Sequence, residues 1–132
     1  MVVKTGIALP KELVNELDKL MRTLKIDNRS RIISEALRTY LDMNKALLTD
    51  EELISVITIF YSNDAAGIKV ISIKHEYKDL ILTSNHVDFL DRCLELLVVK
   101  GSSNKIAEFL GKLLHVNGID RVNHIPITTA TR

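Results

Sequence analysis

His75–Gly101 reads HEYKDLILTSNHVDFLDRCLELLVVKG. Leu80 to Val87 reads as a strand, expected together with the next one at the centre of a sheet. Leu94 to Lys100, LELLVVK, is a near-continuous apolar run of the kind found in the middle of a sheet. The Phe89–Arg92 segment between them reads as a short turn, so the two strands form a hairpin. His86 and Asp88 are two residues apart and point to one face of their strand. Cys93, the single cysteine, follows the turn, and the hairpin brings it back beside that pair. Together with His75 these are two imidazoles, a carboxylate and a thiolate, a set that suits a transition metal. The competing reading is an exposed histidine, a turn aspartate and a buried cysteine acting as a small hydrophobe. Neither a CxxC pair nor an HExxH helix is present to decide between them.

Outward from this hairpin, Leu53–Ser62 (LISVITIFYS) is a strand. Asn63–Lys78 has helical spacing, which Gly67 and several β-branched residues weaken. Gly101-Ser102-Ser103 turns into a helix over Asn104–Val116, with Ile106, Phe109, Leu110, Leu113 and Leu114 inward and Asn117-Gly118 as its cap. Asp120–Thr128 is a last strand, placed at an edge by Pro126. The order is βαββαβ, the ferredoxin-like arrangement. His115 and His124 read as surface or structural residues.

The first 45 residues are built differently. Val3, Thr5, Ile7 and Leu9 share one face of a strand over Val2–Leu9, with Lys4, Gly6 and Ala8 on the other. Pro10 ends it. A helix follows over Lys11–Lys25 with Leu13, Leu17, Leu20, Met21 and Leu24 on one stripe. After a turn at Ile26–Arg29, Ser30 reads as the N-cap of a second helix that runs to about Met43. One strand has no partner within these residues, and its backbone groups must still be paired. The same strand from a second chain supplies the pairing, as a two-stranded antiparallel ribbon that can enter a DNA major groove. Residues 44–54 join the halves without a Gly/Ser linker, and Thr49-Asp50-Glu51-Glu52 resembles the capped start of a short helix.

At 132 residues, 46% hydrophobic and 27% charged, the chain is globular. No apolar run reaches the roughly 18 residues of a membrane span, and no signal-peptide core stands at the start. A lone cysteine leaves no intrachain disulfide, and a cytoplasmic location is expected. The net charge of +1 conceals an asymmetry. Residues 1–45 hold nine Lys and Arg against six Asp and Glu; the remainder holds nine against eleven. A mildly basic head on a mildly acidic body suits DNA binding by the head.

The head resembles a ribbon-helix-helix DNA-binding domain over residues 2–43, including the Asn28-Arg29-Ser30 turn. The resemblance implies that Lys4, Gly6 and Ala8 face the bases and that Arg29, Ser30 and Arg31 lie near phosphates at the second helix's start. Gly6 and Ala8 depart from the polar residues usual there, so base readout rests on Lys4 and DNA shape. A ribbon-helix-helix head ahead of a βαββαβ, ACT-like body is similar to the nickel-responsive regulator family, NikR. The most specific match is Cys93–Gly101, close to that family's CLE…VVKG strand. The resemblance implies a metal at a tetramer interface, with His75 from one chain and His86, the residue at 88 and Cys93 from another. Asp88 stands where the family has a second histidine, and the spacing to Cys93 is one residue shorter. If the loop absorbs that deletion, His86, Asp88 and Cys93 are the ligands; if not, Asn85 and Val87 take their places and the site is dead. A carboxylate for an imidazole also moves the preference from nickel, the first guess, toward zinc or cobalt. Arg31 replaces an acidic residue near the contact between head and body.

The expected protein is an α+β chain with two domains, 1–45 for DNA binding and 46–132 for ligand binding and tetramerisation. The expected function is a metal-responsive repressor that binds a double-stranded operator as a homotetramer, the metal biasing its DNA-binding arrangement. Alternatives are a regulator with a degenerate metal site that senses a small molecule or nothing, and an antitoxin-like repressor that binds a partner protein. An enzyme is not expected, because no oxyanion loop, phosphate loop or paired acids accompany the Cys–His pair.

Overall fold

The computed structural model describes residues 1–62 and 64–129. The chain divides into two compact units, Met1–Thr39 and a second beginning at Tyr40.

In the first unit, α1 (Lys11–Leu24) starts after Pro10 and ends at Lys25, whose left-handed backbone (φ 56°) lets its N–H reach back to the last turn. The second helix, α2, spans Arg29–Asn44 and continues into the second unit. Its N-cap is Asn28, not Ser30: the Asn28 Oδ1 accepts from the Arg31 N–H at 3.1 Å, and its carbonyl takes the first helical bond, from Ile32. Asparagine wins because it sits three residues ahead of an orphan N–H, while Ser30 already lies inside the first turn. Among α1's apolar stripe, Met21 is buried, but Leu13, Leu20 and Leu24 are about half exposed, as is Leu37 of α2. The expected strand at Val2–Leu9 forms no ladder in the single chain, where residues 2–8 are exposed. The physical reason is the one that required a partner: a strand needs a second strand for its hydrogen bonds.

The second unit is a four-stranded antiparallel sheet with two helices. In chain order it holds β1 (Glu52–Tyr61), α3 (Asp64–Glu76), β2 (Ile81–Phe89), β3 (Arg92–Ser102), α4 (Ser103–Leu114) and β4 (Ile119–Thr129). The 3₁₀ turns Lys45–Leu48 and Lys78–Leu80 precede β1 and β2. Strand order is β2-β3-β1-β4, so β3 is central and Pro126 sits on an edge, as expected, but β2, also expected in the centre, is the other edge strand and β1 takes its place, since its alternate residues are buried. Alternate residues of β1, Leu53, Ser55, Ile57, Ile59 and Tyr61, are buried on one face against Val70 of α3 and Ile106, Phe109 and Leu113 of α4. The doubtful segment is a helix, and Asn63, its expected first residue, lies outside the described residues. Gly67 explains how α3 fits: a Cβ there would stand 3.3 Å from the Tyr61 ring, so glycine allows close approach to the sheet. Packing of Ala66 and Val70, both fully buried, overrides the weak helix propensity.

At α4, Ser102 caps the helix by accepting from the Lys105 N–H at 3.2 Å. Its neighbour Ser103 donates its hydroxyl to the Thr49 carbonyl and its N–H to that of Glu51. The joint is therefore fastened to the body. The short helix expected from Thr49 onward is instead the 3₁₀ turn just before it.

Candidate metal centre

The hairpin register decides which side chains meet. Two residues, Leu90 and Asp91, join β2 to β3, with Asp88 opposite Cys93 and His86 opposite Glu95. Paired residues share a face. On the other side of β3, Tyr61 lies opposite Cys93 and Ile59 opposite Glu95. His86, Asp88, Cys93, Glu95 and Tyr61 therefore crowd one end of the helix-covered face. Asn85 and Val87 point to the opposite face, so the register that would have left them in the ligand places is not the one adopted.

One donor atom each from His86, Asp88 and Cys93 lies within 4.8 Å of the others. His86 Nε2 is 2.9 Å from Asp88 Oδ1, and Cys93 Sγ is 3.5 Å from the same oxygen. Metal–ligand bonds of about 2.0–2.3 Å allow donors on one ion to be roughly 3–4.5 Å apart, so one ion fits this trio. Two of the three donors become anions when ionised, which favours a cation between them. His75 is not part of the group. It lies in the last turn of α3, exposed, on the stripe that carries Ile68 (71% exposed) and Ile71 (64%).

Beneath the trio is a residue that sequence reasoning passed over. Glu95 is 3% exposed. Its Oε1 is 2.9 Å from His86 Nδ1 and accepts from the Tyr61 hydroxyl at 3.2 Å, while Oε2 accepts from Lys74 Nζ at 3.0 Å. A histidine that gives its Nδ1–H to a carboxylate turns its Nε2 toward the metal position. The available signal was a charge inside the apolar run LELLVVK, two residues from Cys93 and so on the same face.

The electrostatics follow from these contacts. Burial pushes Glu95 up, but the bonds from His86 and Lys74 outweigh it and hold the carboxyl below its ordinary value. Bonds to Glu95 and then Asp88 raise His86. The same bond from His86, aided by Cys93, lowers Asp88. Burial, then Asp88, raises the Cys93 thiol. Burial and Glu95 raise Tyr61. Both shifts favour the protonated thiol and imidazole, so metal binding through them competes with protons.

The DNA-contact candidates lie in the first unit. Lys4, Gly6 and Ala8 are on the exposed segment ahead of α1, with open space around Gly6. Ser30 is in the first turn of α2. Arg29 pairs with Asp18 of α1 at 2.9 Å and Arg31 with Glu35 at 3.3 Å. Arg29 thus also braces the two helices. His124, expected on the surface or in a structural role, is the structural kind: 5% exposed, with Nε2 2.9 Å from Ser55 Oγ and Nδ1 3.3 Å from Asn44 Oδ1. Exposed His115 places Nδ1 2.6 Å from the Gly111 carbonyl. No helix among the described residues is long and apolar enough to cross a membrane.

Residues 54–127 match the NikR C terminal nickel binding domain, and residues 3–43 match the ribbon-helix-helix protein, copG family. A relative from Pyrococcus furiosus, provisionally named a nickel-responsive regulator, is 33% identical over 131 residues, covering 97% of this chain and 95% of its own. One of the same provisional name from Saccharolobus islandicus is 37% identical over 117 residues, covering 88% and 86%. An uncharacterized protein from Thermotoga maritima shares the fold, with a TM-score of 0.56 and 23% identity, over 59% of this chain and all of its own. The matched families are regulators rather than enzymes. With both domain types present in order and relatives aligned along nearly the whole length, the chain belongs to the nickel-responsive regulator family.

Proposed function

We propose that this chain is a metal-responsive DNA-binding repressor whose ion is held at an interface between chains. The observation that carries this reading is the His86–Asp88–Cys93 trio, with its donor atoms within 4.8 Å and its imidazole oriented by a buried carboxylate. His86 Nε2, an Asp88 oxygen and the Cys93 thiolate are the home ligands, and His75 of a second chain is the fourth. A bound divalent cation would supply a cross-link between the two chains. Support for a second chain comes from α3: its outward stripe of Ile68, Ile71 and His75 is exposed in the single chain, and an apolar stripe of that kind calls for a cover. The outer face of the sheet gives further support. Ile54, Val56 and Phe60 are half-buried there, and Leu96, Ile125 and Ile127 are 36%, 44% and 59% exposed. Two apolar faces on one body suit a tetramer better than a dimer.

DNA binding belongs to the ribbon formed by two copies of residues 2–9, with Lys4 reaching bases and the start of α2 facing phosphates. The body's chain-to-chain arrangement sets how two ribbons are spaced, and an ion that prefers one arrangement shifts the population toward it. Nickel is the first expected ion. Asp88 makes the donor set harder than one with a third imidazole, which favours zinc and cobalt more than a purely N/S set would.

The test is metal uptake by the purified protein, dialysed in turn against Ni(II), Co(II) and Zn(II), beside Cys93→Ala. One ion per chain, lost in Cys93→Ala, with operator binding that follows occupancy, is the expected result. Operator binding that ignores metal would leave a DNA-binding protein with a degenerate site.

A further inference from the structure

We propose that the Lys74–Glu95 ion pair couples the two metal sites each chain serves, its own through His86 and its neighbour's through His75. The proposal rests on the metal-site function proposed above. There, every chain gives three ligands to one ion and a fourth to another, from separate elements: His86, Asp88 and Cys93 from the β2–β3 hairpin, and His75 from the end of α3.

Those elements are joined by one buried carboxylate. Glu95 stands on β3, and its two oxygens take different partners. Oε1 meets His86 Nδ1 at 2.9 Å and the Tyr61 hydroxyl at 3.2 Å; Oε2 meets Lys74 Nζ at 3.0 Å. Lys74 immediately precedes His75 in the last turn of α3. Its side chain is 21% exposed and that of Glu95 3%, so the pair is shielded from the water that screens surface pairs. Two side-chain hydrogen bonds therefore lead from His86 to the last turn of α3.

A carboxylate shared in this way has one position that satisfies both ends. When His86 is fixed by an ion on Nε2, its Nδ1–H holds Glu95 in one rotamer, and Glu95 holds Lys74. The end of α3 is then ordered, and His75 is presented to the neighbouring site without a further ordering cost. The converse follows from reciprocity: a His75 held by the neighbour's ion fixes Lys74, and through Glu95 it fixes His86. The predicted consequence is that the sites fill cooperatively, and that removing Lys74 uncouples them without deleting any ligand.

The experiment titrates the full-length chain with Ni(II) and Co(II) in a chelator buffer and reads the thiolate-to-metal absorption band of Cys93. Wild type is expected to fill one ion per chain with a Hill coefficient above unity. In Lys74→Met the stoichiometry and the band persist, the steepness disappears, and affinity falls about tenfold, the usual scale for removing an outer-shell partner. Lys74→Arg restores the steepness. If Lys74→Met does not fold, Glu95→Gln serves instead, since it keeps the acceptor for His86 and Tyr61 but drops the charge that holds Lys74. A wild-type curve that is already hyperbolic, or an unchanged slope in the charge-removing variants, overturns the coupling and leaves the metal site standing. No uptake by wild type overturns the metal site itself, and the coupling with it.

Discussion

At the scale of single residues, Asp88 and His124 carry the most specific expectations. Asp88, a ligand under the function proposed above, is exposed and close to both His86 and Cys93. Asp88→His replaces a hard oxygen donor with nitrogen, so the ratio of Ni(II) to Zn(II) affinity should rise. Competition between the two metals under one chelator tests this, and an unchanged ratio would mean that residue 88 is not a ligand. His124 makes a separate prediction about pH. Burial holds its pKa below the ordinary value of a histidine. The unfolded chain then binds a proton that the folded chain resists, so this contribution to stability is complete above about pH 6.5 and is lost as pH falls toward the folded value. Denaturant midpoints measured at about pH 7.5 and about pH 5 should differ in wild type and converge in His124→Gln. A persisting difference would locate the acid sensitivity elsewhere.

Among the elements, the β2–β3 hairpin is where local strain meets the site. Leu90 has φ 57° and is 88% exposed, while Asp91, the second turn residue, has no positive φ. A two-residue loop with left-handed backbone at its first position is a type II′ turn, which favours glycine there. Leucine in that region costs about 1–2 kcal/mol, so Leu90→Gly should stabilise the body by about 1 kcal/mol after glycine's own entropy is counted. Thermal or denaturant unfolding measures it, and destabilisation would show that Leu90 is held by something beyond its turn. The hairpin also shows how far sequence reading reaches at this scale. Alternation placed His86 and Asp88 on one face, and the apolar run placed β3 centrally. The register that sets Asp88 opposite Cys93 could not be read in the same way. It depends on a two-residue turn whose first residue, leucine, lacks the usual turn signature. α3 makes the opposite point: its composition argued weakly for a helix, and packing of Ala66, Gly67 and Val70 on the sheet decided it.

For the whole molecule, the predictions concern assembly and DNA. Ile125, 44% exposed on the outer sheet face, lies on the surface proposed to meet another chain. Ile125→Glu should leave the subunit folded but reduce the assembly from tetramers to dimers by light scattering, because a charge buried at an apolar contact has no partner. A tetramer that survives would move the interface to another face. Lys4→Ala on the ribbon should weaken operator binding. If Lys4 meets phosphate instead of bases, the salt slope should also fall by about one for each phosphate that Lys4 neutralises. An unchanged slope with relaxed sequence preference would assign Lys4 to the bases.

By itself the sequence determined the order of the body's strands and of its last helix, the basic head, the lack of a partner for Val2–Leu9 within its own domain, and the candidate donors His75, His86, Asp88 and Cys93. Those properties are local: they follow from side-chain period, from breakers such as Pro10, and from residue chemistry within a few positions. Only the tertiary structure decided which donors stand together. It also exposed Glu95 as the buried carboxylate between His86 and Lys74, and moved the α2 cap from Ser30 to Asn28. The first two depend on strand register and on which helix covers which face, which bring together residues 5 to 34 positions apart in the chain. The cap depends on which backbone N–H remains unpaired where the helix actually starts.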